Sequence, residues 1–174
     1  LPIYTDGLIP LGFPYGVYMQ TLILVTGASG FVGQQVVAQL LARGVAVRLV
    51  VRQPLSAPWA NHAGIESIRT TADVFAESPH WYDDVCRGVS GVLHLAWYTT
   101  HGSYLDSPKN RDCLQGTLAL AQGAIRQGVQ RFVGVGTCLE YAASDQALGI
   151  DSPLQPQSAY AAAKVAVFQA LANT

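Results

Sequence analysis

Apolar and polar positions along the chain follow two periods that alternate. Leu22-Ile23-Leu24-Val25 is a short apolar run ending in a glycine turn, and it reads as a buried strand. Val32, Val36 and Leu40, flanked by Val37 and Leu41, then form a helical stripe that Gly44 is placed to end. Val45 to Val51 predicts a second strand, with Pro54 and Pro58 breaking the chain after it, and Ile65 to Thr70 a third, weaker one. Glu77 to Cys86 is helix-like, and Gly91 to Ala96 contains a fourth strand, Val92-Leu93-His94-Leu95. Leu114, Leu118, Ala121 and Ile125 share a helical face that stops at Gly128. Arg131 to Val135 predicts a fifth strand, and the alanine-rich run from Tyr160 to Leu171 a last helix.

Strand and helix therefore alternate throughout, with no internal repeat and no low-complexity segment. Parallel strands need crossover connections, so this alternation predicts a parallel sheet covered by helices on both faces. Right-handed crossovers make it doubly wound, an α/β fold whose ligands bind at the carboxyl ends of the strands, near the first.

Composition narrows the class. Half of the 174 residues are apolar and 12% are charged, the opposite of a disordered chain. The net charge of -1, with no basic block, gives no bulk attraction for nucleic acid or an anionic membrane, so neither is expected as a partner. Cys86, Cys113 and Cys138 form neither a CxxC nor a zinc pattern and read as free thiols of a reducing cytoplasm. The four histidines are scattered, so no metal site is expected. No run approaches the ~20 apolar residues of a membrane span. Residues 1–18 lack the basic start of a signal peptide and are broken by Pro2, Pro10 and Pro14. Met19 sits directly before the first strand like a natural start. The expectation is thus a leader-like segment over 1–18 and one domain over 19–174.

After the first strand the chain reads Thr26-Gly27-Ala28-Ser29-Gly30-Phe31-Val32-Gly33. Glycines every three residues let the backbone turn tightly and approach a pyrophosphate. The helix that follows offers free N–H groups and a partial positive charge. Gly27, Ser29, Gly30, Phe31, Val32 and Gly33 are the candidate phosphate-binding residues, with Gly33 letting the helix pack close to the sheet. A glycine motif alone is weak, but this one follows a strand and opens an amphipathic helix, the context it requires. The TGxxGxxG spacing resembles the short-chain dehydrogenase/reductase superfamily, in particular its extended branch acting on nucleotide sugars. The resemblance covers residues 21–174 and implies a Rossmann fold that binds NAD or NADP.

An acid at the end of strand two would bind the NAD ribose and repel a 2′-phosphate. Val51 holds that place and Arg52 follows it, and a guanidinium there can form charge-assisted bonds to a 2′-phosphate. NADP is therefore preferred, with NAD possible, unless Arg52 is simply a solvated surface arginine. The family places an aspartate after strand three against the adenine. Asp73, followed by Val74, matches it, although Asp73 could equally be a turn residue. His94-Leu95-Ala96 resembles the family's HxAA segment along the cofactor, which implicates Leu95 and Ala96, but Trp97 replaces the second alanine. His94 reads as a hydrogen-bonded core histidine and receives no chemistry.

Strand five ends in Gly136-Thr137-Cys138-Leu139-Glu140-Tyr141, and Tyr160-Ala161-Ala162-Ala163-Lys164 follows. Four-residue spacing puts Tyr160 and Lys164 on one helical face. A free tyrosine, with pKa ~10, exchanges protons poorly at neutral pH, and a nearby ammonium together with the nicotinamide's positive charge is expected to lower it. The Thr137 hydroxyl can hold a substrate carbonyl in line with Tyr160. By resemblance, the family's catalytic Ser/Thr, Tyr and Lys map onto Thr137, Tyr160 and Lys164, and Lys164 would also hold the nicotinamide ribose.

Nucleotide-sugar dehydratases of this branch place an Asp-Glu pair directly after the threonine. Here those places are Cys138 and Leu139, and Glu140, one residue on, would point away along an extended segment. That argues against elimination and leaves ketone reduction, or epimerisation through a ketone. The family's NxxGT-like run is Cys113-Leu114-Gln115-Gly116-Thr117 here, with Asn110 earlier. The SPxN…CLxGT and GTCxEY wording resembles a subgroup of the NAD-dependent epimerase/dehydratase family. The implied function is an NAD(P)-dependent oxidoreductase or epimerase acting on a small molecule, a nucleotide-activated sugar. The alternatives are a reductase of another carbonyl compound, such as a flavonoid-like or steroid-like ketone, and a non-catalytic NADP-binding sensor or scaffold. A homodimer through the helices at about 114–127 and 160–171 is a further implication of the resemblance. Extended enzymes run to roughly twice this length. The expectation is therefore a truncated chain lacking the carboxyl-terminal substrate lobe, with an exposed apolar sheet edge beside strand five.

Overall fold

The computed structural model describes residues 21–53 and 61–173; the leader over 1–18, Met19, Pro54 and Pro58 lie outside them. The elements run β1 (Leu22–Thr26), α1 (Phe31–Ala42), β2 (Ala46–Val51), β3 (Ile65–Thr70), α2 (Pro79–Cys86), β4 (Gly91–His94), α3 (Lys109–Arg126), β5 (Arg131–Gly134) and α4 (Ala159–Ala172). A 3-10 turn, Cys138–Glu140, follows β5. The strands pair in parallel in the order β3-β2-β1-β4-β5. This is the doubly wound Rossmann arrangement that the alternation predicts. The order reverses between β1 and β4, which opens a crevice at the carboxyl ends of those strands.

The central strands are uniformly apolar because both faces of the sheet are covered. Leu24 and Val50 pack on one face with Tyr82, Val85, Val92 and Leu120. Their neighbours Val25, Leu49 and Val51 turn to the other face and meet Val37 and Leu41 of α1. A side-chain period of two thus feeds two cores from one strand. Gly44 and Gly128, both with positive φ, close α1 and α3. In each case the residue after the glycine donates back to the carbonyl five residues earlier, Val45 to Leu40 and Val129 to Ala124.

Two strands lie at edges, which explains their weaker sequence signals. β3 is half-exposed, and β5 pairs only with β4. Val133 and Val135 beside it are 42% and 46% exposed, the apolar edge expected there. The third helix begins at Lys109, five residues before the apolar stripe at Leu114, because its first turn is polar and rests on Pro108. No helix among the described residues is long and apolar enough to cross a membrane.

Candidate active site

The glycine turn has the close contacts that its spacing predicts. Gly27 has φ +70°, and a Cβ there would stand 2.7 Å from the Ala96 backbone nitrogen. A Cβ on Gly33 would reach 2.1 Å from the Gly27 carbonyl, so only glycine lets α1 begin this close to the turn. The Gly30 N–H donates to Gly27 O (3.0 Å), which shapes the loop before α1. The first N–H groups of a helix have no partner within it, and those of Phe31, Val32 and Gly33 open α1. The Phe31 and Val32 side chains are exposed, so any hold these residues have on a ligand runs through their backbone.

A cleft of about 340 Å³ lies against this turn, over the carboxyl ends of β1, β2 and β4. Gly27, Ser29, Gly30, Arg52, Asp73 and Val74 line it, and so do Leu95 and Ala96. Arg52 is exposed and follows the buried Val51. The Asp73 carboxylate accepts the Phe75 N–H (3.0 Å) in a turn of its own, and Asp73 also borders the cleft. Gly33 sits behind the cleft as a packing residue. A glycine turn packed too closely against the backbone for any Cβ, helix N–H groups and a nearby guanidinium together fit a dinucleotide.

His94 is buried, with Nδ1 2.8 Å from the Thr26 hydroxyl and Nε2 2.9 Å from that of Thr117. Burial, helped by the Lys164 charge, drives its pKa down to about 3, so it is neutral. This is the satisfied core histidine of the sequence reading.

The structure brings Thr137, Tyr160 and Lys164 together. The loop after β5 delivers Thr137 beside Tyr160, where its side chain acts to lower the Tyr160 pKa. Ser158 caps α4 by accepting the Ala161 N–H (3.1 Å), which sets Tyr160 in the first turn and Lys164 one turn on. The Lys164 ammonium donates to Val135 O (2.8 Å) and lies 5.9 Å from the Tyr160 ring centroid. Burial holds its pKa near 8.

One expectation is refined and one corrected. The ammonium alone does not bring the Tyr160 pKa below the usual value. Burial pushes it up, outweighing the lowering effect of the Thr137 side chain, while the Lys164 ammonium donates to the Val135 carbonyl. Nor is the segment after Thr137 extended. It folds into the 3-10 turn and carries Glu140 back towards Thr137, whose N–H donates to the Glu140 carboxylate (2.6 Å). Glu140 is therefore buried beside the site rather than pointing away from it.

Sequence reading missed the aromatic wall of the site. Trp97, noted only as a departure from HxAA, lines the cleft and also packs edge-on to Tyr160 (6.1 Å between centroids). The Lys164 ammonium lies 3.7 Å from the centroid of its ring. Trp97 is thus the side chain that touches both the dinucleotide cleft and the Tyr160–Lys164 pair. Its indole N–H donates to Asn110 Oδ1 (2.9 Å), and the Asn110 amide donates in turn to Tyr104 O (2.7 Å) and Ser107 O (3.0 Å). Tyr104 meets Tyr160 edge-on at 5.0 Å. An asparagine opening a helix is visible in the sequence, but its burial and its pairing with Trp97 are not.

Comparison with known proteins identifies the family. The family model of the NAD dependent epimerase/dehydratase family matches residues 23–174, and the chain belongs to that family. Its relatives include aldehyde reductase 2 of Sporidiobolus salmonicolor, 35% identical over 65% of this chain and 34% of that protein. A dTDP-glucose 4,6-dehydratase of Streptomyces griseus is 34% identical over 84% of this chain and 47% of that protein. Among solved structures, a short-chain dehydrogenase/reductase superfamily protein of Agrobacterium tumefaciens with bound NAD superposes with a TM-score of 0.67. It shares 29% identity and covers 86% of this chain and 44% of that one. The chain spans less than half the length of these relatives.

Proposed function

We propose that this chain is the dinucleotide-binding and catalytic part of an NAD(P)-dependent oxidoreductase or epimerase that acts on a nucleotide-activated sugar through a ketone. The observation that carries the reading is the Lys164 ammonium 5.9 Å from the Tyr160 ring, one helical turn on, with Thr137 beside them at the end of β5 and a cleft floored by the glycine turn alongside. A nicotinamide dinucleotide supplies hydride exchange when bound. Gly27, Ser29, Gly30 and the N–H groups opening α1 would hold its pyrophosphate. Asp73, Val74, Leu95 and Ala96 would line its path, and Arg52 would favour the 2′-phosphate of NADP.

The protein's own part is proton transfer and orientation. Thr137 holds the substrate oxygen, and Tyr160 gives or takes the proton at that oxygen. Lys164 stabilises the phenolate that results, at a place where burial alone would disfavour it. Cys138 and Leu139 offer no carboxylate directly after Thr137. The Glu140 carboxylate is engaged at the Thr137 N–H, which supports reduction or epimerisation over elimination.

The second reading, reduction of another small carbonyl compound, uses the same residues and is favoured by the likeness to an aldehyde reductase. Hydride transfer measured across nucleotide sugars and simple aldehydes and ketones separates the two. Turnover confined to nucleotide sugars supports the first reading, and turnover confined to small carbonyls supports the second. Dinucleotide binding with no turnover of either class would leave a sensor.

A further inference from the structure

Glu140 is 5% exposed, yet it makes no ion pair among the described residues within bridging distance. A buried carboxylate is costly unless hydrogen bonds and a nearby positive charge compensate it. One compensation is visible in the backbone. The Thr137 N–H donates to Glu140 Oε1 at 2.6 Å, and the Thr137 hydroxyl accepts the Leu139 N–H at 3.3 Å, a reciprocal capping box around the 3-10 turn. Gly136 makes room for it, since a Cβ there would lie 2.9 Å from Glu140 Oε1. The backbone of Glu140 is itself anchored, because the Gln155 N–H donates to its carbonyl (2.9 Å) where the chain returns beside Tyr141.

The other compensation is Lys164, 8% exposed on α4, whose ammonium donates to Val135 O (2.8 Å), two residues before the Thr137 N–H that holds the Glu140 carboxylate. The titratable groups that face this ammonium come from four elements. His94 of β4 is neutral, and the Cys113 thiol of α3 is pushed up by burial and is also neutral. Tyr160, on the same helix, is pushed up as well. Glu140, from the turn after β5, is the remaining group, and its field acts on Lys164 in the direction that favours the ammonium.

We propose that Glu140 is a positioning residue of this site: its carboxylate fixes the Thr137 backbone where β5 ends and is the buried counter-charge of the Lys164 ammonium. The proposal rests on reading Thr137 and Lys164 as site residues. It gives one side chain two tasks, setting the direction of the Thr137 hydroxyl and keeping Lys164 charged near neutral pH.

The test uses Glu140→Gln and Glu140→Ala and needs neither substrate nor dinucleotide. Glutamine keeps an oxygen to accept the Thr137 N–H but removes the charge. The Lys164 titration midpoint, followed by NMR of side-chain-labelled lysine, is expected to fall by about one pH unit in Glu140→Gln. The Thr137 amide should stay protected from hydrogen exchange in that variant and exchange at least tenfold faster in Glu140→Ala. An unchanged Lys164 midpoint in Glu140→Gln overturns the counter-charge, and unchanged Thr137 protection in Glu140→Ala overturns the positioning. If Glu140→Ala does not fold, Glu140→Gln alone decides the charge, and Glu140→Met, which keeps the volume and removes the acceptor, replaces it for Thr137. In the active protein the alkaline limb of kcat/KM should follow the Lys164 midpoint. Turnover that survives Tyr160→Phe would defeat the proposed function while leaving both of these readouts intact.

Discussion

The Lys164 ammonium lies over the face of Trp97, 3.7 Å from the ring centroid, while donating a 2.8 Å hydrogen bond to the Val135 carbonyl. A cation on an aromatic face is worth about 1–2 kcal/mol when partly desolvated. This contact joins the dinucleotide cleft, which Trp97 lines, to the helix bearing Tyr160. Where the family resemblance leads one to expect a small residue after Ala96, this chain places its largest side chain. The site thus has an aromatic partition, held by Asn110 from behind.

Trp97→Ala should therefore destabilise the fold by about 2–4 kcal/mol, the sum of lost packing and lost cation–π attraction, read from urea denaturation midpoints. Trp97→Phe should recover most of it, because a ring face remains for Lys164. It should still cost about 1 kcal/mol, since Asn110 Oδ1 loses the indole donor. Equal stability of the Ala and Phe variants would mean that the ring face contributes nothing.

Tyr160→Phe removes the hydroxyl that Thr137 contacts and leaves the ring between Trp97 and Tyr104. Turnover should drop by about 10²–10⁴-fold, the usual worth of a positioned acid–base group. Dinucleotide affinity should change little, since Tyr160 does not line the cleft. Stability should stay within about 1 kcal/mol, because the hydroxyl is only partly desolvated. Calorimetric titration beside a rate measurement checks the separation.

Arg52 lies in the cleft wall directly after the buried end of β2. Calorimetry with both dinucleotides should give tighter binding of NADP(H), and Arg52→Ala should remove most of the difference while lowering NAD(H) affinity little. A charge-assisted bond of about 1.5–3 kcal/mol corresponds to a tenfold to hundredfold preference. Equal affinities in the unaltered protein would place the guanidinium in solvent instead.

The sheet and the glycine turn were legible because they are local. An apolar run, a turn and an amphipathic stripe lie within 20 residues of each other, from Leu22 to Leu41. The Tyr160–Lys164 pair was legible for the same reason, as helix spacing fixes it. Trp97, Asn110 and Glu140 were not, because their meaning lies in contacts made across the fold. Trp97 reaches Lys164, and Glu140 reaches its neighbourhood only after an unforeseen 3-10 turn reverses its direction. Spacing likewise reveals the charge beside Tyr160 but not the burial that competes with it.

Lys164 gives a pH test that needs no substrate. Its pKa falls from 10.5 to about 8 on folding, chiefly through burial. Below pH 8 the side chain is charged in both folded and unfolded chains, so folding carries the full cost of burying the charge, about 3 kcal/mol. Between pH 8 and 10.5 the unfolded chain binds more protons than the folded one, and stability from this group must rise with pH. Lys164→Met removes the titration while keeping the volume of the stem. Compared with the unaltered protein, Lys164→Met should be the more stable form at pH 7, and its advantage should shrink steadily as pH rises through that window. Titrations common to both forms, such as those of Tyr82 and Cys86, cancel in the difference. The measurement is a pair of denaturation series from pH 7 to 10.5. A difference that stays flat with pH would show that Lys164 keeps an ordinary lysine pKa. The ammonium would then be solvated rather than held between Trp97 and the Val135 carbonyl.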